Sequence, residues 1–88
     1  MLATVFTMSA TEIKRLIGKF NDVRHEIDYT NFMITNKDLL KKEQEEWEIE
    51  ADLAEHELYQ IANQIDKLKP SKYMMQKYSE LDYILSFV

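Results

Sequence analysis

Between Ile34 and Leu40 a repeating apolar pattern loses its phase, and that slip restricts the chain's possible shapes more than any other feature. Upstream, Ile13, Leu16, Phe20, Val23, Ile27, Thr30 and Ile34 recur at spacings of 3 and 4, as one seam of a coiled-coil helix does. Downstream, Leu40, Gln44, Trp47, Ala51, Ala54, Leu58, Ile61, Ile65 and Leu68 form a second seam. Each seam has one polar member, Thr30 or Gln44. The two registers differ by the equivalent of a three-residue insertion, which would overwind a continuous coiled coil. The slip falls at T-N-K-D, residues 35–38. Asn36 suits a left-handed C-cap there, and Asp38 or Asn36 suits the next N-cap. A turn at Lys37 is the simplest solution.

Folding back about Lys37 makes facing residue numbers sum to 74. The layers are then Ile34–Leu40, Thr30–Gln44, Ile27–Trp47, Val23–Ala51, Phe20–Ala54, Leu16–Leu58 and Ile13–Ile61. Large residues meet small ones at Phe20–Ala54 and Val23–Ala51, and the two polar residues share a layer that sets register. The seam, Ile13, Leu16, Phe20, Val23 and Ile27 against Trp47, Ala51, Ala54, Leu58 and Ile61, is the predicted core. One Gly and one Pro in 88 residues leave little to interrupt helices. The expected fold is all-α, an antiparallel helical hairpin resembling a coiled coil with a third C-terminal helix.

The element bounds follow from local signals. M-S-A-T-E-I places a capping box at Ser9 and Glu12, with Met8 able to staple onto Ile13. The first helix is predicted over about 9–35 and the second over about 38–69, with 1–7 as a flexible extension. Pro70 ends the second helix, since its ring cannot sit inside one. Beyond it, Met74, Tyr78, Leu81, Leu85 and Val88 are spaced 4, 3, 4 and 3. A single helix over about 71–86 is expected, within one domain spanning 1–88.

Net charge is −5 and concentrated. Residues 36–69 hold ten acids and five bases, whereas 8–35 and 70–88 each balance. In E-Q-E-E-W-E-I-E-A-D-L-A-E-H-E, residues 43–57, eight carboxylates surround Trp47. Glu43, Glu45, Glu46, Glu48, Glu50, Asp52, Glu55 and Glu57 form a candidate acidic face. In a parallel self-pair Glu43 would oppose Glu48, and Glu50 would oppose Glu55. In the hairpin Arg24 falls beside Glu48 and Lys19 beside Glu57, while Glu26 against Glu50 is a mismatch. Such a charge balance repels phosphate backbones and argues against direct nucleic-acid binding.

Chemistry is harder to find. His25 and His56 with Asp22 and Asp52 have helical ligand spacing, but both histidines fall at outward positions. Two arginines, Arg15 and Arg24, are too few to converge on an anionic substrate, and no nucleophile–base constellation stands out. No catalytic residue, cofactor or metal is expected. With no Cys, disulfides and thiolate sites are excluded, in keeping with a reducing, cytoplasmic setting. No segment approaches the roughly 20 apolar residues of a membrane span, and M-L-A-T-V-F-T lacks the basic start of a secretory signal. The terminal S-F-V matches a C-terminal peptide ligand of sheet-edge domains only weakly.

What stands out instead is surplus apolar surface. Ile17, Phe32, Met33, Ile49 and Leu53 lie off the seam, and Met74, Tyr78, Leu81 and Leu85 form a helix face that needs cover. These nine are candidate partner or oligomer contacts, with Met74 and Met75 fitting core as well as an adaptable surface. The expectation is a non-catalytic protein–protein interaction module, self-associating, that serves as an assembly, adaptor or regulatory subunit by binding another protein. Its third helix is expected to pack on a second chain. An alternative is an acidic inhibitor or nucleic-acid mimic that occupies a basic site through Glu43–Glu57.

Overall fold

A computed structural model describes the backbone of residues 2–36 and 38–88, and side chains from Ala10 onward. These residues form four helices: α1 (Leu2–Ile34), α2 (Lys41–Lys67), α3 (Lys72–Lys77) and α4 (Glu80–Leu85). The two long helices pack against each other as the hairpin their seams require, and no strand occurs among the described residues. The fold-back residue Lys37 itself lies outside the described residues. The molecule measures 57 × 20 × 18 Å, a rod one hairpin long.

The first helix starts at Leu2, so residues 2–7 are its opening turns and not an extension. No Gly or Pro stands before Ser9 to stop it, and a capping signal cannot end a helix that already has residues ahead of it. Ser9 is therefore an interior position. Glu12 turns to Arg15, whose Nε donates to its carboxylate at 3.0 Å. That hydrogen bond holds the Glu12 carboxyl below its ordinary range, against an opposing desolvation and with a lesser contribution from the guanidinium charge.

The turn also differs in detail. Asn36 does not take the left-handed conformation; its side-chain oxygen accepts from the Asp38 N–H at 3.0 Å, an Asx turn. This local bond delays α2, whose N-cap is Leu40 without a side-chain hydrogen bond. Asp38 and Asn36 thus shape the loop and do not cap the helix.

At the other end, Lys69 takes the left-handed conformation with φ 49°. Its N–H donates to the Asp66 carbonyl at 3.0 Å, and Pro70 prevents further helix. The chain is thereby redirected onto its own hairpin. Ser71 caps α3, its hydroxyl accepting from the Met74 N–H at 3.2 Å.

The expected single C-terminal helix is broken. Tyr78 is extended, with φ −114° and ψ 91°, and α4 begins at Glu80. The break rotates the apolar stripe. Leu81 and Ile84 become fully buried, whereas Tyr78 and Leu85 are only half-buried. Two short helices follow the bundle surface where one straight helix would bury a different face.

Met74, Leu81 and Ile84 join Ile13, Leu16, Ile17, Phe20, Val23, Ala54, Leu58, Ile61, Ala62 and Ile65 in one core. The third layer therefore packs on its own chain, contrary to the expectation of a trans contact. Lys69 supplies the physical reason, since a left-handed step at the open end reverses chain direction. Each buried Leu, Ile or Met contributes about 1.5–3 kcal/mol, so the three are enough to hold a short segment in place.

Candidate interaction surface

The hairpin is built in two unlike halves. At the open end the C-terminal segment completes a three-layer core, and its hub is aromatic. Phe87 meets Phe20 at 5.6 Å, Tyr59 at 5.5 Å and Tyr83 at 5.2 Å between ring centroids, all edge-on. Phe20 also meets Tyr83 at 6.2 Å. Edge-on aromatic pairs add about 0.5–1.5 kcal/mol each beyond their buried area. The Arg24 guanidinium lies 4.7 Å from the Tyr83 ring centroid. It is thus directed to α4 and forms no ion pair with Glu48, nor does Lys19 with Glu57. A cation beside an aromatic face keeps much of its hydration and loses nothing by leaving an exposed carboxylate.

At the turn end there are only two helices. Of the predicted seam, Ile13, Leu16, Phe20, Val23, Ala54, Leu58 and Ile61 are buried, but Ile27, Trp47 and Ala51, nearer the turn, are half-buried. Leu40 is largely exposed, so the Ile34–Leu40 layer does not close. The Thr30–Gln44 layer does not form either. Thr30 is buried, its hydroxyl donating to the Glu26 carbonyl of its own helix at 2.7 Å, while Gln44 is exposed. A threonine in a helix satisfies itself on the preceding turn, which removes its need for a partner across the seam. Trp47 instead meets Tyr29 edge-on at 5.8 Å.

The apolar residues expected to make partner contacts divide accordingly. Ile17, Met74 and Leu81 are consumed by the core, and Tyr78 and Leu85 are half-buried against it. Met33 is half-buried. Phe32, Ile49 and Leu53 remain exposed at 68%, 59% and 62%, joined by Tyr29 at 57%. All four lie in the turn half. Ile49 and Leu53 are one turn apart on α2, as are Tyr29 and Phe32 on α1. Around them Glu43, Glu45, Glu46, Glu48, Glu50, Asp52 and Glu55 are exposed, with Glu57 half-buried.

Sequence reasoning read Phe87 as helix-end packing but missed Ile84 and Tyr83 as core and hub residues. The available signal was the three-residue step Leu81, Ile84, Phe87, a second stripe beside the one chosen. Phe87 is half-buried among rings, while Ser86 and Val88 are exposed.

His25, His56, Asp22 and Asp52 are exposed, and the His56 ring lies 3.3 Å from the Gln60 amide. Among the described residues no group of three or more His, Asp or Glu side chains could hold a metal ion. No described helix is long and apolar enough to cross a membrane. Compared with protein-family models, curated proteins and solved structures, the chain matches none.

Proposed function

We propose that this chain is a non-catalytic helical interaction module that acts by binding another protein through the turn half of its hairpin. One observation carries the reading: of the seven large apolar side chains that are more than half exposed among the described residues, five, Tyr29, Phe32, Leu40, Ile49 and Leu53, lie in the turn half. Large apolar side chains left in water beyond isolated instances mark contact surfaces. The C-terminal segment covers the open half, so a second copy is not needed there. Stacking the turn half on itself would oppose its acidic stretch with a second one, which favours a foreign partner over self-association.

The test is site-specific photo-crosslinking in the source cell. A photo-reactive residue at Ile49 should capture a distinct protein, whereas one at Gln64, exposed on the open half of α2, should not. The Ile49 adduct should vanish when Phe32 and Leu53 are both changed to Asp. Adducts only between copies of this chain, or equal adducts from both positions, would overturn the reading.

A further inference from the structure

We propose that the turn half takes one kind of occupant, a cationic amphipathic helix of a partner protein. This rests on the interaction reading above and adds the partner's chemistry. Shape comes first. The surface is made of two helices, Leu2–Ile34 and Lys41–Lys67, with no sheet edge to extend among the described residues. Recognition must therefore use side chains, and a helix laid along a helical pair is the packing such a surface accepts. Ile49 and Leu53, one turn apart on α2 amid its carboxylates, are spaced for the apolar anchors of a helix laid along α2. The third layer, α3 and α4, packs at the open end and leaves these residues uncovered.

Charge decides the rest. Between Glu43 and Glu57 there are eight carboxylates and no Lys or Arg, and the two cations that open α2, Lys41 and Lys42, leave the run strongly negative. Among the described residues the one ion pair is Glu12–Arg15, far along α1. A partner with Lys and Arg flanking an apolar stripe satisfies both features at once. A second copy would bring eight like charges, and an anionic membrane or nucleic acid would be repelled. The apolar rows also separate this partner from a merely basic groove, which has no use for Ile49 and Leu53.

The experiment uses the full chain and three synthetic 20-residue peptides without Trp. The first carries Leu and Ile at i, i+3, i+4 and i+7 with Lys and Arg elsewhere. The second keeps the apolar positions and replaces the cations by Glu. The third has the first's composition with the apolar residues shuffled off the stripe. Trp47, the sole tryptophan, is half-buried in contact with Tyr29 and reports binding by its emission. The first peptide should bind at least about ten-fold more tightly than either control, and gain helicity on binding. Ile49→Asp with Leu53→Asp should weaken it by about ten-fold or more. Those changes add negative charge, so loss of affinity would report the apolar contact. Both sites are exposed, and circular dichroism checks that the variant stays folded.

Equal binding of the first and third peptides, unaffected by the double variant, would sink the proposal in favour of a surface that reads charge alone. Equal binding of the first and second would sink it in favour of an apolar surface indifferent to charge. If no peptide binds but the Ile49 crosslink to another protein persists, this inference fails and the interaction reading stands. If that crosslink is also absent, both fail.

Discussion

The open half and the turn half of this hairpin use the same helices to different ends. In the open half, Ile13 to Val23 on α1 and Ala54 to Ile65 on α2 enclose a core closed by Met74, Leu81 and Ile84. In the turn half, between Arg24 and Leu53, Thr30 is the one buried side chain among the described residues. Seams of similar periodicity therefore yield unequal burial. A two-helix contact buries a single narrow stripe, and each residue on it keeps an open flank. A third layer covers those flanks, and in a chain this small it reaches only part of the length. The difference teaches that periodicity specifies which helices pair but not how deeply each turn is buried. It also implies a stability gradient, since local opening is easiest where few apolar contacts exist.

The largest expected effect breaks the comparison if it fails. Phe20→Ala removes a side chain that is fully buried and edge-on to Tyr83 and Phe87. It should cost about 3–5 kcal/mol, much of the net stability of a small domain. Phe32→Ala, at 68% exposure, should change stability by no more than about 0.5 kcal/mol. Urea unfolding of both variants measures the contrast, and comparable losses would mean the halves are equally packed.

A smaller effect concerns how the third layer is brought round. Lys69 is exposed yet left-handed, so its side chain has little to do with packing and its backbone much. Lys69→Val places a β-branched residue where that conformation is costly, and should lose about 1–2 kcal/mol. Lys69→Gly, which adopts it freely, should lose almost nothing. Hydrogen exchange should show the Val variant opening at α3 and α4 first, with turn-half amides unchanged. Equal behaviour of the two variants would detach the fold-back from the left-handed step.

The smallest effect sharpens the picture of the turn half. Thr30→Val removes a hydroxyl whose partner is a carbonyl of the same helix. It should leave stability unchanged or raise it by up to about 1 kcal/mol. Gln44→Leu, at an exposed position, should do less than about 0.5 kcal/mol, and the two should add. A thermal-melt double-mutant cycle with clear coupling would restore the shared polar layer that the geometry does not contain.

Much of the architecture was legible in residue types and spacing. The phase slip at 35–38, the antiparallel pairing and the core from Ile13 to Val23 against Ala54 to Ile61 follow from two heptad stripes that match when the chain folds back. Capping signals were less reliable. The Ser9–Glu12 pair marks a possible helix start, but Leu2 to Met8 contain nothing that forbids an earlier one. The surface at the turn was half legible: Phe32, Ile49 and Leu53 were recognisable as surplus, but Ile17, Met74 and Leu81 looked the same by pattern and are buried.

The sequence by itself determined the two long helices, their pairing and the acidic run, because these depend on local propensity, period and charge. Only the tertiary structure decided which apolar residues stay in water. That choice turns on one left-handed residue at Lys69, one break at Tyr78 and the short reach of the segment beyond them. Periodicity carries no record of such a reversal, since direction at a chain corner is set by a few dihedral angles and by the packing that rewards them.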